Sequence, residues 1–106
     1  MDVLESDWKL FKNNLTVWRE NYLVKINEEI VSILSDKKIT ETQKFWKVKK
    51  QIDNKVEILK DCFDDIRRSM MLIKMMMMYK NKIINMENIS GFSKDVVENV
   101  KNFNEI

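Results

Sequence analysis

Apolar residues recur every three or four positions along nearly the whole chain, and the strict alternation that marks strands is almost absent. Ser6 can cap a first helix carrying Trp8, Leu10 and Phe11, with a weak break at Asn13-Asn14. Asn14 or Thr16 then caps a helix to about Leu34, in which Trp18, Tyr22, Ile26, Ile30 and Ile33 step by four or three. Leu23, Val31 and Leu34 widen that stripe, so this helix should be packed on more than one side.

Ser35-Asp36-Lys37-Lys38 is the clearest loop, and Thr40 followed three residues later by Gln43 is a capping-box pattern. From Phe45 the apolar positions Val48, Ile52, Val56, Leu59, Phe63, Ile66, Met70, Ile73 and Met77 continue without interruption. The stretch reads as one long helix or as two in similar phase. A break near Lys60 is preferred, because one unbroken helix of about 40 residues would be unusual in so short a chain. Asp61 would cap the second helix, with Asp64 and Asp65 in its first turn, where negative charge favours the dipole. Lys80-Asn81-Lys82 is a polar turn, and Asn85 caps a brief helix after Ile83-Ile84. Gly91 suits a position of positive φ just past a helix end. Ser93 caps a last helix with Val96, Val97, Val100 and Phe103, after which the chain should fray. The expected fold is all-α, a compact irregular bundle of four to five helices forming one domain over residues 1–106.

Composition narrows the chemistry. There is no His, Pro or Ala, one Gly, and one Cys, Cys62. The absence of His removes the commonest general base near neutral pH, the His-containing triads and zinc sites, and axial-His haem ligation. A single Cys forms neither an intrachain disulfide nor a thiolate cluster, and a single Gly cannot build a phosphate-binding loop. The longest apolar run, Met70 to Tyr79, contains Lys74 and is too short to span a bilayer. The start of the chain is acidic and lacks a secretory pattern, so a cytoplasmic location is expected. No enzyme activity, metal or cofactor is expected.

Asp7-Trp8-Lys9-Leu10-Phe11, Trp18 with Asn21-Tyr22, Phe45-Trp46, Arg67-Arg68-Ser69-Met70 and Gly91-Phe92-Ser93 follow one another in that order. In this the chain resembles a family of short helical proteins from low-GC Gram-positive bacteria that often carry a "multidrug transporter" label. The resemblance implies a small, mainly helical fold and no activity. The family usually has a Pro-Gly break between its FW and RRS motifs, and here neither residue stands near Leu59-Lys60-Asp61. The transporter label conflicts with the missing membrane span and is set aside.

Four groups of residues have the chemistry of a site, each with a simpler structural reading. The methionine run from Met70 to Met78, Met71, Met75 and Met78 included, suits an adaptable protein-binding groove, but core filling is the simpler reading. Net charge is only +2, but residues 37–60 carry eight lysines against three acids. Lys44, Lys47, Lys50 and Lys55 lie at helical spacing and suit phosphate contacts, or a solvated face that attracts the acidic first third of the chain. Asp61, Asp64 and Asp65 beside Arg67 and Arg68 could hold a hard cation, but fit helix-terminal charge better. Trp8, Phe11, Trp18, Tyr22, Phe45 and Trp46 fill volume between helices, and Trp8 is the aromatic most expected to stay partly exposed at an interface.

The sequence therefore points to a small non-enzymatic helical protein that binds another protein or a second copy of itself. Its candidate surface comprises Trp8, Met71, Met75 and Met78. A nucleic-acid-associated regulator acting through the lysines is the alternative, followed by a mobile-element or phage accessory protein that inhibits a host factor.

Overall fold

The computed structural model describes residues 2–103, and all regular structure among them is helical. The elements are α1 (Glu5–Leu34), α2 (Glu41–Phe63), a 3-10 turn (Arg68–Met70), α3 (Met71–Lys80), α4 (Met86–Ile89) and α5 (Lys94–Phe103). The all-α expectation holds, with five α-helices. The fraying expected after Phe103 concerns residues outside the described ones.

The first two expected helices are one. Asn13-Asn14 does not break α1, because the Asn14 amide turns back and donates to the Leu10 carbonyl at 2.8 Å. An asparagine that satisfies itself on the preceding turn does not compete with the helix. Ser6 lies inside the first turn, and Leu4, in extended backbone, is the residue at the helix start. At α2 the capping box forms as expected. Thr40 Oγ1 accepts the Gln43 N–H at 3.1 Å, and Gln43 Oε1 accepts the Thr40 N–H at 2.8 Å.

The long apolar stretch is two helices, and α2 continues past Lys60 to Phe63. Asp61 therefore closes α2 and caps nothing after it. Asp64 leaves helical backbone and Asp65 adopts the left-handed region at φ 54°. Three carboxylates at a helix C-terminus oppose the dipole, which favours stopping there. Two cations offset them. Lys74 Nζ, from α3, donates to the Asp61 carbonyl at 2.6 Å, and Arg67 Nε pairs with Asp65 at 2.8 Å. That pairing holds the Asp65 carboxyl below its usual range and raises the Arg67 guanidinium above its own. Arg68 turns away from these carboxylates and reaches Glu5 at 2.6 Å and the Val3 carbonyl at 2.5 Å, tying the start of α1 to the α2–α3 junction.

The core gathers around α3. Met71, Met75 and Met78 are fully buried at the three- and four-residue steps of one helix face. They pack with Phe11, Trp18, Ile89, Val96 and Val100 in one apolar cluster. The methionines expected at a partner surface thus fill the protein's own interior, where no partner reaches them. Trp8 is half-buried, stacked on Phe11 at 5.8 Å with Lys12 Nζ 5.2 Å from its ring.

Asn85 and Asn88 form the capping box of α4. Gly91 is not at positive φ; among the described residues, those in the left-handed region are Asp65 and Lys82. A Cβ at Gly91 would meet Leu10 Cδ2 at 3.4 Å, an ordinary packing distance, so neither backbone conformation nor space singles out glycine at this position. Ser93 precedes α5, and both its N–H and its hydroxyl donate to Asp7 in the first turn of α1.

The molecule measures 52 × 25 × 20 Å, and its length comes from α1 and α2. From Asn27 to Asp61 no residue is buried. The distal half of α1, the loop and most of α2 therefore form an antiparallel arm that projects from the core.

Candidate interaction surfaces

Along the arm, Lys55 Nζ lies 5.7 Å from the Tyr22 ring, and Gln51 hydrogen-bonds Glu29. The α2 row facing α1 is thus Val48, Gln51, Lys55, Ile58 and Cys62, largely polar towards the tip. Phe45, Ile52, Val56 and Leu59 fall on a side of α2 roughly a quarter turn away. Phe45 is 63% exposed and Ile52 44%. With Leu34 and Val48 they line an apolar hollow of about 420 Å³. Trp46, 58% exposed, packs edge-on against Phe45 at 5.2 Å. The apolar stripe read from the sequence is real, but the fold leaves its first half uncovered.

Helical geometry places Lys47, Lys50 and Asn54 on the opposite side of α2, with Asn21 and Lys25 on the same side of α1. All five are exposed. Lys25, Lys47 and Lys50 make no ion pair among the described residues. The four lysines grouped by sequence spacing therefore separate. Lys47 and Lys50 face solvent together. Lys44, partly buried, pairs with Glu41 at 2.9 Å, and Lys55 covers Tyr22.

A second feature adjoins this polar side. Trp18, Asn21, Lys25 and Glu28 of α1 and Lys82 to Asn85 of the α3–α4 turn enclose an open groove of about 480 Å³. Lys82, Ile84 and Asn85 also border a neighbouring hollow of about 660 Å³ with Tyr79, Lys80 and Met86. The turn closes α3 by two bonds, Lys82 N–H to the Tyr79 carbonyl at 3.1 Å and Ile83 N–H to the Met78 carbonyl at 2.8 Å. This motif takes a left-handed residue, usually Gly. Here it is Lys82, at φ 60°. The conformation costs an L-residue about 1–2 kcal/mol. In the sequence Lys82 reads only as part of a turn, and nothing in the spacing singles out Lys25.

The remaining chemistry-bearing groups serve the fold. Cys62 is fully buried, and its thiol is pushed up to about 11, chiefly by burial and secondarily by the charge of Asp61, against a smaller opposing effect of Lys74. Such a thiol is inert at neutral pH. Among the described residues no group of three or more His, Cys, Asp or Glu is placed to hold a metal ion, and no helix is long and apolar enough to cross a membrane.

An all-α fold with two chemically opposite arm sides defines a small binding protein that works through its surfaces. The Csm2 Type III-A family model matches residues 19–106, and the chain belongs to that family. Csm2 is a small, non-catalytic helical subunit of the type III-A CRISPR effector complex. This membership replaces the reading as a mobile-element or phage accessory protein. No curated protein and no solved structure matches the chain.

Proposed function

We propose that this chain is a cytoplasmic assembly subunit whose arm lies between protein and nucleic acid in a type III-A effector complex. The apolar side, around Phe45, Ile52 and Leu34, docks on a neighbouring protein subunit. The opposite side, with Lys47 and Lys50, faces the phosphates of bound nucleic acid. The observation that carries this reading is the two-sidedness of the arm, whose 35 residues from Asn27 to Asp61 include none that is buried. An apolar patch that the fold leaves open at such a site marks a protein contact. Unpaired lysines on the other side supply counterion-releasing phosphate contacts.

Co-expression with the other subunits of the complex tests both halves. Phe45→Lys with Ile52→Lys should abolish co-purification while leaving helicity intact. Lys47→Glu with Lys50→Glu should preserve assembly and weaken nucleic-acid retention in a salt-dependent way. Full assembly by the first pair would overturn the docking half, and unchanged retention by the second would overturn the nucleic-acid half.

A further inference from the structure

The α3–α4 turn presents a lysine where backbone conformation favours glycine. Lys82 sits at φ 60°, two residues past the end of α3, and borders both the groove against α1 and the hollow at Tyr79. A non-glycine residue kept in an unfavourable conformation next to an open site points from strain to function. The partner across the groove is Lys25, on α1. Neither lysine makes an ion pair among the described residues, although Glu28 also lines the groove. With Lys80 at the adjoining hollow, three ammonium groups face one carboxylate. Trp18, Ile83 and Ile84, all buried, supply the apolar part of the groove's lining.

We infer that this groove is a binding site for one phosphodiester of a single-stranded nucleic acid, held between Lys25 and Lys82, with the neighbouring base against Tyr79. The inference rests on the nucleic-acid half of the proposed function and assigns it a site distinct from Lys47 and Lys50. A single strand fits because its bases are free to leave the stack, and the half-buried Tyr79 offers an aromatic surface next to the phosphate position. A duplex keeps its bases paired and has nothing to place in that hollow.

The full chain can be titrated against a fluorescein-labelled single-stranded RNA, the same sequence as DNA, and its duplex, by anisotropy over a salt series. Lys82→Gly removes the charge and relieves the backbone, so it should melt no lower than wild type and yet bind about fivefold more weakly. Lys25→Gln should behave alike in binding. Each should flatten the salt dependence by about 0.7 in log–log slope, the contribution of one single-strand phosphate contact. Lys101→Gln, on α5 and away from the groove, should bind as wild type. A larger effect on RNA or on DNA identifies which strand occupies the groove. Binding left unchanged by Lys82→Gly or Lys25→Gln overturns the groove assignment alone, with the proposed function intact. Equal affinity for the duplex overturns the assignment to a single strand. Absence of binding by wild type in every arm overturns this inference together with the nucleic-acid half of the proposed function.

Discussion

Asp7 and Ser93, 86 residues apart, form a two-pronged clasp: Asp7 Oδ1 accepts the Ser93 N–H at 2.9 Å and Oδ2 accepts the Ser93 hydroxyl at 2.6 Å. The carboxylate is 4% exposed and sits where α5 begins. It therefore satisfies a donor that α5 leaves free at its start and places negative charge at the positive end of the helix dipole. Hydrogen bonds to a charged group contribute about 1.5–3 kcal/mol. Asp7→Ala should lower unfolding stability in urea by about that much, and Ser93→Ala, which leaves the N–H bond in place, by less. Equal, negligible losses would show that α5 docks without the clasp.

Lys74 makes a comparable link at the other end of the core. Its ammonium, 7% exposed, donates to the Asp61 carbonyl at the close of α2. Cations at a helix C-terminus stabilise it, and here the end is crowded with Asp61, Asp64 and Asp65. Lys74→Met keeps the volume and removes the donor and charge, so it should cost about 1–3 kcal/mol in urea denaturation. The loss should concentrate at the α2 terminus, with faster amide exchange over residues 58–63 than over α5. A variant as stable as wild type would mean that water replaces the ammonium at no cost.

Thr40-Gln43 and Asn85 were legible because capping needs only local chemistry, and both form as read. Composition points to a break at Lys60 rather than after Phe63, because Asp61 satisfies the rule for a helix start as well as that for an overloaded end. Glycine usually serves at positive φ, but Gly91 does not adopt it, and a side chain there would make only an ordinary contact with Leu10. For the candidate surface the failure was systematic. Periodicity shows that α2 has an apolar side without showing whether anything covers it. Four consecutive methionines likewise do not reveal that Met75 and Met78 point inward while Phe45 and Trp46 do not. Burial is a property of neighbours remote in sequence, and the lysine row divided for the same reason.

The exposed half of the α2 stripe makes a prediction that separates binding from folding. Phe45 is 63% exposed, so Phe45→Lys should change stability by no more than about 0.5 kcal/mol. A phenylalanine serving the fold would cost about 3–5 kcal/mol on truncation. Phe11, fully buried, is the contrasting case, and Phe11→Ala should fall in that range. Thermal melts of the two variants should therefore diverge widely, while incorporation into the effector complex should fail for both. Should Phe45→Lys melt as low as Phe11→Ala, the arm side would belong to the fold rather than to a partner.

Cys62 allows a pH-dependent test of the core. Its thiol titrates at about 11 in the folded protein against 9.0 for the free group, mainly because burial disfavours the thiolate. The folded state therefore holds this proton more tightly than the unfolded state. The resulting stability is complete below pH 9 and is lost as pH rises through about 11, by on the order of 2 kcal/mol. Lysines and tyrosines also titrate in this window, so the measurement is the difference between wild type and Cys62→Ala. The variant should be less stable at pH 7 through lost packing, and its stability should fall less steeply between pH 9 and 11. At pH 8 the native thiol should react with a disulfide reagent only as fast as the protein opens, and rapidly once urea unfolds it. Fast labelling of the native protein at pH 8, or identical alkaline slopes for the two proteins, would show that Cys62 is not sealed between α2 and α3.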